Sequence, residues 1–179
     1  GAHTGEVTAA LARASGADFA ILGHAERRAE GETDERVARE VRLALDAGLR
    51  PIICIGERER GKDGHYLSVI EKMLVASLSH LQARDIPKIV IAYEPVWAIG
   101  ATTAPDARVV HEAVIYIRKI LVQLYGRDLG MKIKILYGGA VDDTSARALL
   151  DEGYASGFLV GRASVDPQKF AAIIRACEP

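Results

Sequence analysis

The sequence has little net charge, few cysteines and no long apolar run. Each of these features argues against a class of protein. The 179 residues carry a formal net charge of −1, which gives no electrostatic reason to expect binding to nucleic acid or to an anionic membrane surface. Only two cysteines occur, Cys54 and Cys177, so a disulfide framework is not indicated and a reducing cytoplasm is the expected location. No apolar stretch approaches the roughly 18 residues of a membrane span.

Patterns typical of cofactor and metal sites are missing as well. The sequence contains no complete GxGxxG or Walker pattern and no Cys/His spacing that resembles a metal site. We therefore expect neither a metal nor a cofactor. The first residues are neither basic nor apolar, which is unlike a signal peptide.

Short apolar runs alternate along the chain with amphipathic segments. The runs are four to six residues long and mostly rich in Ile, Val or Leu, as in strands that are buried on both faces of a parallel sheet. Five such strands are predicted, at residues 19–22, 51–55, 88–93, 132–137 and 157–160. Helical spacing of apolar residues predicts helices around residues 7–14, 37–45, 67–81, 110–121 and 170–174.

The predicted order is one helix followed by five βα units, with no linker or low-complexity tract that would divide residues 1–179 into domains. Strict alternation of strands and helices favours a single α/β domain with a parallel sheet and right-handed crossovers. The same alternation could build either a barrel or a doubly wound open sheet. The pattern alone does not choose between them.

Residues with useful chemistry follow several of the predicted strands. His24 follows the first strand and Glu94 the third, while glycine-rich stretches at 138–139 and 161 follow the fourth and fifth. The carboxyl ends of parallel strands meet at one edge. A carboxylate base, an imidazole donor and a backbone anion cradle together suit proton abstraction next to the carbonyl of a small phosphorylated substrate.

Each of these residues also has an ordinary structural explanation. A single histidine at a strand end is often only a structural hydrogen-bonding group, and a glutamate before a proline is often a solvated turn residue. Cys54 lies within an apolar run, where a buried cysteine usually acts as a small hydrophobic residue. No single residue decides the function.

Six motifs, taken in order, resemble the triosephosphate isomerase family over essentially the whole chain. They are GAHTGE at 1–6, LGHAERR at 22–28, CIGE at 54–57, AYEPVWAIG at 92–100, YGG at 137–139 and GFLVG at 157–161. The resemblance implies an incomplete TIM-type barrel of five parallel βα units preceded by one helix. The implied reaction, part of glycolysis and gluconeogenesis, interconverts D-glyceraldehyde 3-phosphate and dihydroxyacetone phosphate without a cofactor.

The resemblance also implies roles for individual residues. Glu94 resembles the base that shuttles the proton, and His24 resembles the neutral imidazole that polarises the carbonyl. Glu26 and Cys54 resemble residues that support these two, and residues 95–104 resemble the lid over the substrate. The implied phosphate-binding residues are Gly100, Gly139, Ala140, Gly161 and Arg162.

Four departures from the family pattern bear on activity. The family's first three strands, and a lysine on the first of them, have no counterpart in these 179 residues. The lid is shorter at residues 101–104, Ala140 stands where serine is usual, and Arg162 stands where a second glycine is common. Without the lysine, Glu26 should turn to solvent or pair with Arg27 or Arg28.

These departures predict a weak or inactive isomerase for the chain alone. They also predict a homo-oligomer, because a sheet with two open edges and an uncovered apolar interior favours self-association. The alternative is a non-catalytic scaffold or fragment that self-associates. A general module that binds phosphorylated sugars is a third possibility, although it would not need both Glu94 and His24.

Overall fold

A parallel sheet forms the centre of the fold. A computed structural model of the chain describes residues 4–61 and 63–178. Within these residues four strands pair in chain order, each parallel to the next. They are β1 (Phe19–Leu22), β2 (Arg50–Ile55), β3 (Val90–Tyr93) and β4 (Lys134–Tyr137). The predicted α/β class with a parallel sheet is confirmed, and the first predicted strand has the observed bounds.

The interior strands are the most deeply buried part of the sheet. Ile53, Ile91 and Ile135 occupy one register line across β2, β3 and β4, and all three side chains are buried. Every residue of β3 is buried, because β3 pairs on both sides and helices cover the sheet. The apolar runs of these strands are therefore explained by burial on both faces.

The fifth predicted strand forms only a single parallel bridge, so the predicted count of five βα units is not confirmed. Phe158 pairs with Tyr137 of β4. The Tyr137 N–H donates to the Gly157 carbonyl over 3.0 Å, and the Leu159 N–H donates to the Tyr137 carbonyl over 2.9 Å. In the described part of the chain no further strand pairs with its outer side, so a continuous ladder is lacking there.

Helices follow the strands along the chain. The longest, α5, carries Val110, Val114, Ile117 and Leu121 on its buried face, as their spacing predicts. Helices α2 (Ala25–Ala29), α6 (Arg127–Gly130) and α7 (Ala146–Asp151) are not predicted from apolar spacing. The helices of the described residues are α1 (Ala9–Ala14), α2 (Ala25–Ala29), α3 (Asp34–Asp46), α4 (His65–Ser77), α5 (Ala107–Tyr125), α6 (Arg127–Gly130), α7 (Ala146–Asp151) and α8 (Pro167–Cys177). Across residues 4–61 and 63–178, no helix is long and apolar enough to span a membrane.

The first strand and its preceding helix are much less buried than the interior. The spacing of Val7 and Leu11 predicts an apolar helix face, yet both residues are exposed. On β1, Phe19 and Ile21 are 46% and 51% exposed. Val165, in the short 3-10 turn Arg162–Val165, is 84% exposed. The β1 edge of the sheet therefore presents apolar side chains to solvent.

Candidate active site

Glu94 and His24 meet at the carboxyl edge of the sheet. Glu94 is the first residue after β3, and His24 lies two residues after β1. Their side chains approach to 3.3 Å between His24 Nε2 and Glu94 Oε1. Sequence position placed both at this edge, and the structure brings them into direct contact.

The turn after β1 fixes the orientation of the imidazole. His24 is the N-cap of α2, and its Nδ1 accepts the Glu26 N–H over 3.3 Å. A neutral imidazole that accepts at Nδ1 carries its proton on Nε2, the nitrogen that faces Glu94. The Arg28 side chain holds the turn, because its Nε donates to the Gly23 carbonyl over 2.7 Å. His24 therefore presents a hydrogen-bond donor to the site.

Glu94 is buried, with a side chain only 3% exposed. Burial raises its pKa above the ordinary value, and His24 and the Ala25 N–H act against that rise. The Ala25 N–H donates to Oε2 over 3.3 Å. Gly138 makes room for the carboxylate, since a Cβ there would lie 2.7 Å from Glu94 Cγ. A buried carboxylate whose pKa is raised towards neutrality is suited to act as a general base.

Cys54 lies beside Glu94 as a buried thiol. Burial raises the pKa of Cys54, and the negative charge of Glu94 raises it further. The side chain therefore stays protonated. It packs as a small hydrophobic residue next to the base, consistent with its place in an apolar run.

A second buried carboxylate, Glu57, was not among the predicted site residues. It is fully buried, and its Oε1 accepts from Tyr93 Oη and from Trp97 Nε1, both over 2.9 Å. The Val96 N–H also donates to the Glu57 carbonyl over 2.9 Å. Glu57 thus fixes the chain on both sides of Glu94. The available signal was its position, since Glu57 follows β2 much as Glu94 follows β3.

The predicted phosphate-binding residues all line one cavity together with His24 and Glu94. The cavity has a volume of about 920 Å3. The predicted residues around it are His24, Glu26, Glu94, Gly100, Gly139, Ala140, Gly161 and Arg162. Cys54 lies behind Glu94 and outside this set. The arrangement joins a base, an imidazole donor and glycine-rich backbone around one space.

Two contacts draw the residues around this cavity together. The Ala140 N–H donates to the Ala98 carbonyl over 3.0 Å, and Arg162 Nη2 donates to the Gly100 carbonyl over 3.3 Å. Residues 98–100 are therefore attached to the loops that follow β4 and residues 157–160. The segment after Glu94 borders the cavity at Ile99, Gly100, Ala101 and Thr102.

Glu26 turns to solvent, which was one of the two predicted outcomes. Its residue is exposed. In the described part of the chain its side chain forms no ion pair, and Arg27 pairs with Glu6 and Glu30 instead. No cluster of three or more metal-ligating side chains occurs across residues 4–61 and 63–178.

Comparison with known proteins gives a consistent result. A family model described as "Triosephosphate isomerase" matches residues 1–177. Proteins named triosephosphate isomerase from Chloroherpeton thalassium and Carboxydothermus hydrogenoformans are 39% and 40% identical over 99% and 98% of this chain. A protein of the same name from Bacteroides fragilis is 40% identical over 98% of it. The matches cover 71%, 70% and 70% of these relatives, so the chain spans somewhat over two thirds of their length.

Proposed function

Because the chain belongs to the triosephosphate isomerase family, we propose that its site performs proton transfer between D-glyceraldehyde 3-phosphate and dihydroxyacetone phosphate. The observation that carries the proposal is the contact between a buried Glu94 and the donor nitrogen of His24. One group removes a proton from carbon, and the other stabilises the charge that appears on oxygen. A reaction through an enediolate needs both.

Each group has a definite task in this reaction. The Glu94 carboxylate takes a proton from the carbon beside the carbonyl and returns it to the neighbouring carbon. The His24 Nε2–H donates to the oxygen on which the enediolate charge develops. In the structure this N–H faces Glu94 over 3.3 Å. Substrate binding must therefore replace the contact between the two side chains with one from His24 to the substrate oxygen.

The glycine-rich loops supply the anion site in this proposal. Gly139, Ala140 and Gly161 border the same cavity as Glu94. The Ala140 N–H donates to the Ala98 carbonyl, so the backbone N–H groups proposed to bind phosphate are those of Gly139 and Gly161. Gly100 borders the cavity from the opposite side, in the segment that resembles the family's lid. A phosphorylated triose held by these loops would place its carbon chain towards Glu94 and His24.

We further propose that the 179 residues alone are a weak isomerase, acting as one domain. The family's lysine has no counterpart in this sequence, and loss of one preorganised electrostatic contact costs about 10²–10³ in rate. A cytoplasmic location within glycolysis and gluconeogenesis fits the two free cysteines. The second candidate function, a non-catalytic self-associating scaffold, is favoured by the exposed apolar side chains on the β1 edge of the sheet.

A coupled isomerase assay on the purified chain separates these candidates. We expect low turnover that falls by about 10²–10⁴-fold in Glu94→Gln, which removes the base but keeps its shape. Glu152→Gln is the matched control, because Glu152 is exposed and lies outside the cavity. Adding a peptide with the family's first three strands should raise the turnover of the parent chain. No turnover with or without that peptide would favour the scaffold.

Self-association is part of the proposal and has its own test. Phe19 and Ile21 are exposed on β1, whose outer side has no pairing strand within the described residues. Such an edge promotes pairing with another chain. Analytical ultracentrifugation should show an oligomer at micromolar concentration that Ile21→Glu dissociates. Ile115→Glu is the control, since Ile115 is 54% exposed on α5, away from the edge. A folded monomer of the parent chain would contradict the proposal.

A further inference from the structure

Arg162 carries a cationic side chain at the candidate site that the mechanism above does not use. It begins a short 3-10 turn, Arg162–Val165, directly after Gly161. The Ser164 hydroxyl and N–H both donate to the Gly161 carbonyl, over 2.7 and 2.9 Å. These bonds fix the turn, and the Arg162 side chain leaves it at the rim of the cavity that contains His24 and Glu94.

The guanidinium lies against Gly100 and depends on that residue being glycine. Arg162 Nη2 donates to the Gly100 carbonyl over 3.3 Å. A Cβ on Gly100 would lie 2.3 Å from Nη2, and Gly100 has a φ of +72°, which side chains rarely adopt. The glycine in the lid-like segment thus makes room for an arginine from the opposite loop.

The hydrogen bond that Arg162 forms here is weaker than the bonds that a guanidinium can form with an anion. A guanidinium has five N–H donors and prefers the paired oxygens of a carboxylate or phosphate. Across the described residues, the single hydrogen bond of the Arg162 side chain goes to a neutral carbonyl, and no carboxylate lies within ion-pair distance. Its charge is therefore available to an anion in the cavity.

The other charges around the cavity make such a cation necessary for an anionic ligand. Four carboxylates border the cavity, and the cationic side chains there are Arg162 and Lys169. Lys169 lies 3.9 Å from Asp166, which offsets its charge. The four carboxylates are Glu26, Glu94, Asp142 and Asp143. A phosphate dianion would meet net repulsion without Arg162.

We propose that the Arg162 side chain binds the phosphate of the substrate. Its hydrogen bond to the Gly100 carbonyl is then replaced by bonds to two phosphate oxygens. Charge-assisted bidentate bonds are stronger than a bond to a neutral carbonyl, so the exchange is favourable. It also releases the carbonyl of the segment at Gly100 when phosphate arrives. The inference rests on the proposed function and adds a binding residue to it.

Binding of inorganic phosphate, measured by isothermal titration calorimetry on the full 179-residue chain, tests the inference without any turnover. We expect Arg162→Gln to weaken phosphate binding by about tenfold or more, since a charged hydrogen-bond partner is lost. Arg162→Lys should recover part of the affinity, because it restores the charge without the paired donors. The control is Arg175→Gln, an exposed position on α8 outside the cavity. Circular dichroism checks that each variant is folded.

The outcomes separate this inference from the proposed function. Phosphate binding that depends on Arg162 in a chain without turnover would support the inference and count against the isomerase. Turnover in which Arg162→Gln leaves KM unchanged would overturn the inference and keep the isomerase. Equal phosphate affinity in the parent chain and Arg162→Gln, or no phosphate binding by the parent chain, would also overturn it.

Discussion

The two strands that supply Glu94 and His24 differ sharply in their surroundings. β3 pairs on both sides and all of its residues are buried, whereas β1 pairs only with β2 in the described residues and exposes Phe19 and Ile21. The difference extends to the side chains, since Glu94 is 3% exposed and His24 31%. The group whose chemistry depends on burial stands on the interior strand.

The same comparison explains how the two groups are held. Glu94 is confined by Gly138 and by the Ala25 N–H, both contributed by other strands or loops. His24 is held mainly by its own turn, through the Glu26 N–H. The pKa of a carboxyl group is raised only where residues from several elements bury it. An imidazole that caps a helix is held by contacts within its own turn. The Glu94 half of the site is therefore held rigidly by several elements. The His24 half depends on what covers the outer edge of β1.

The largest expected effect compares equivalent truncations on the two strands. Ile91→Ala in β3 should lower the free energy of unfolding by about 2–5 kcal/mol, because Ile91 is fully buried and leaves a cavity. Ile21→Ala in β1 should cost less than about 1 kcal/mol, because half of that side chain is already in water. Urea unfolding at low protein concentration measures both. Equal costs would show that β1 is covered in solution, and a cost for Ile21→Ala that grows with concentration would identify self-association.

An intermediate effect is expected from replacing Glu57, which stiffens the half of the site that contains Glu94. Glu57→Ala should cost about 2 kcal/mol of unfolding free energy, since the buried Tyr93 hydroxyl and the Trp97 Nε1 lose their acceptor. Glu59→Ala, an exposed carboxylate in the same loop, is the control and should be neutral. A neutral result for Glu57→Ala would mean that the two donors find other acceptors and that this half is less rigid than its contacts suggest.

The smallest expected effect is a gain in stability from Glu94→Gln. Burial raises the pKa of Glu94 in the folded state, so ionisation of Glu94 opposes folding, and a neutral isostere should stabilise the fold by less than the change expected at Glu57. Below the ordinary carboxyl pKa of 4.5, Glu94 is protonated in both states and the gain should vanish. It should grow as the pH rises from there towards the raised pKa and stay constant above it.

Urea midpoints at several pH values measure this gain. Glu26→Gln serves as the edge control, because Glu26 is exposed and should show no such dependence. A Glu94→Gln variant that is less stable than the parent at neutral pH would show that the contacts of the charge with His24 and the Ala25 N–H outweigh its burial.

The interior of this fold was predictable from sequence, and the edges were less so. The interior strand predicted at 51–55 and the buried face of α5 follow from apolar spacing alone. Residues 157–160 carry the same kind of apolar run but form a single bridge. Likewise α1 has the predicted spacing, although Leu11 is exposed. Apolar pattern predicts an element but not its partner.

The site residues that belong to a motif were predictable from the sequence. The contacts that depend on tertiary packing were not. Motif and strand position placed Glu94 and His24 together at one edge. The role of Glu57 depends on Tyr93 and Trp97 reaching it from another strand, and no local sequence feature encodes that contact. The contact between Arg162 and Gly100 joins residues from separate loops, which a linear pattern cannot show.

The hydrogen bond between Trp97 and Glu57 makes Trp97 an intrinsic fluorescence probe. Trp97 is the sole tryptophan of the chain and lies in the 3-10 turn Val96–Ala98, between the base and Gly100. Its indole is partly exposed while its N–H donates to a buried carboxyl group, two conditions that make emission sensitive to small displacements. Intrinsic fluorescence therefore reports on this one segment, free of background from any other indole, each time a ligand enters the neighbouring cavity.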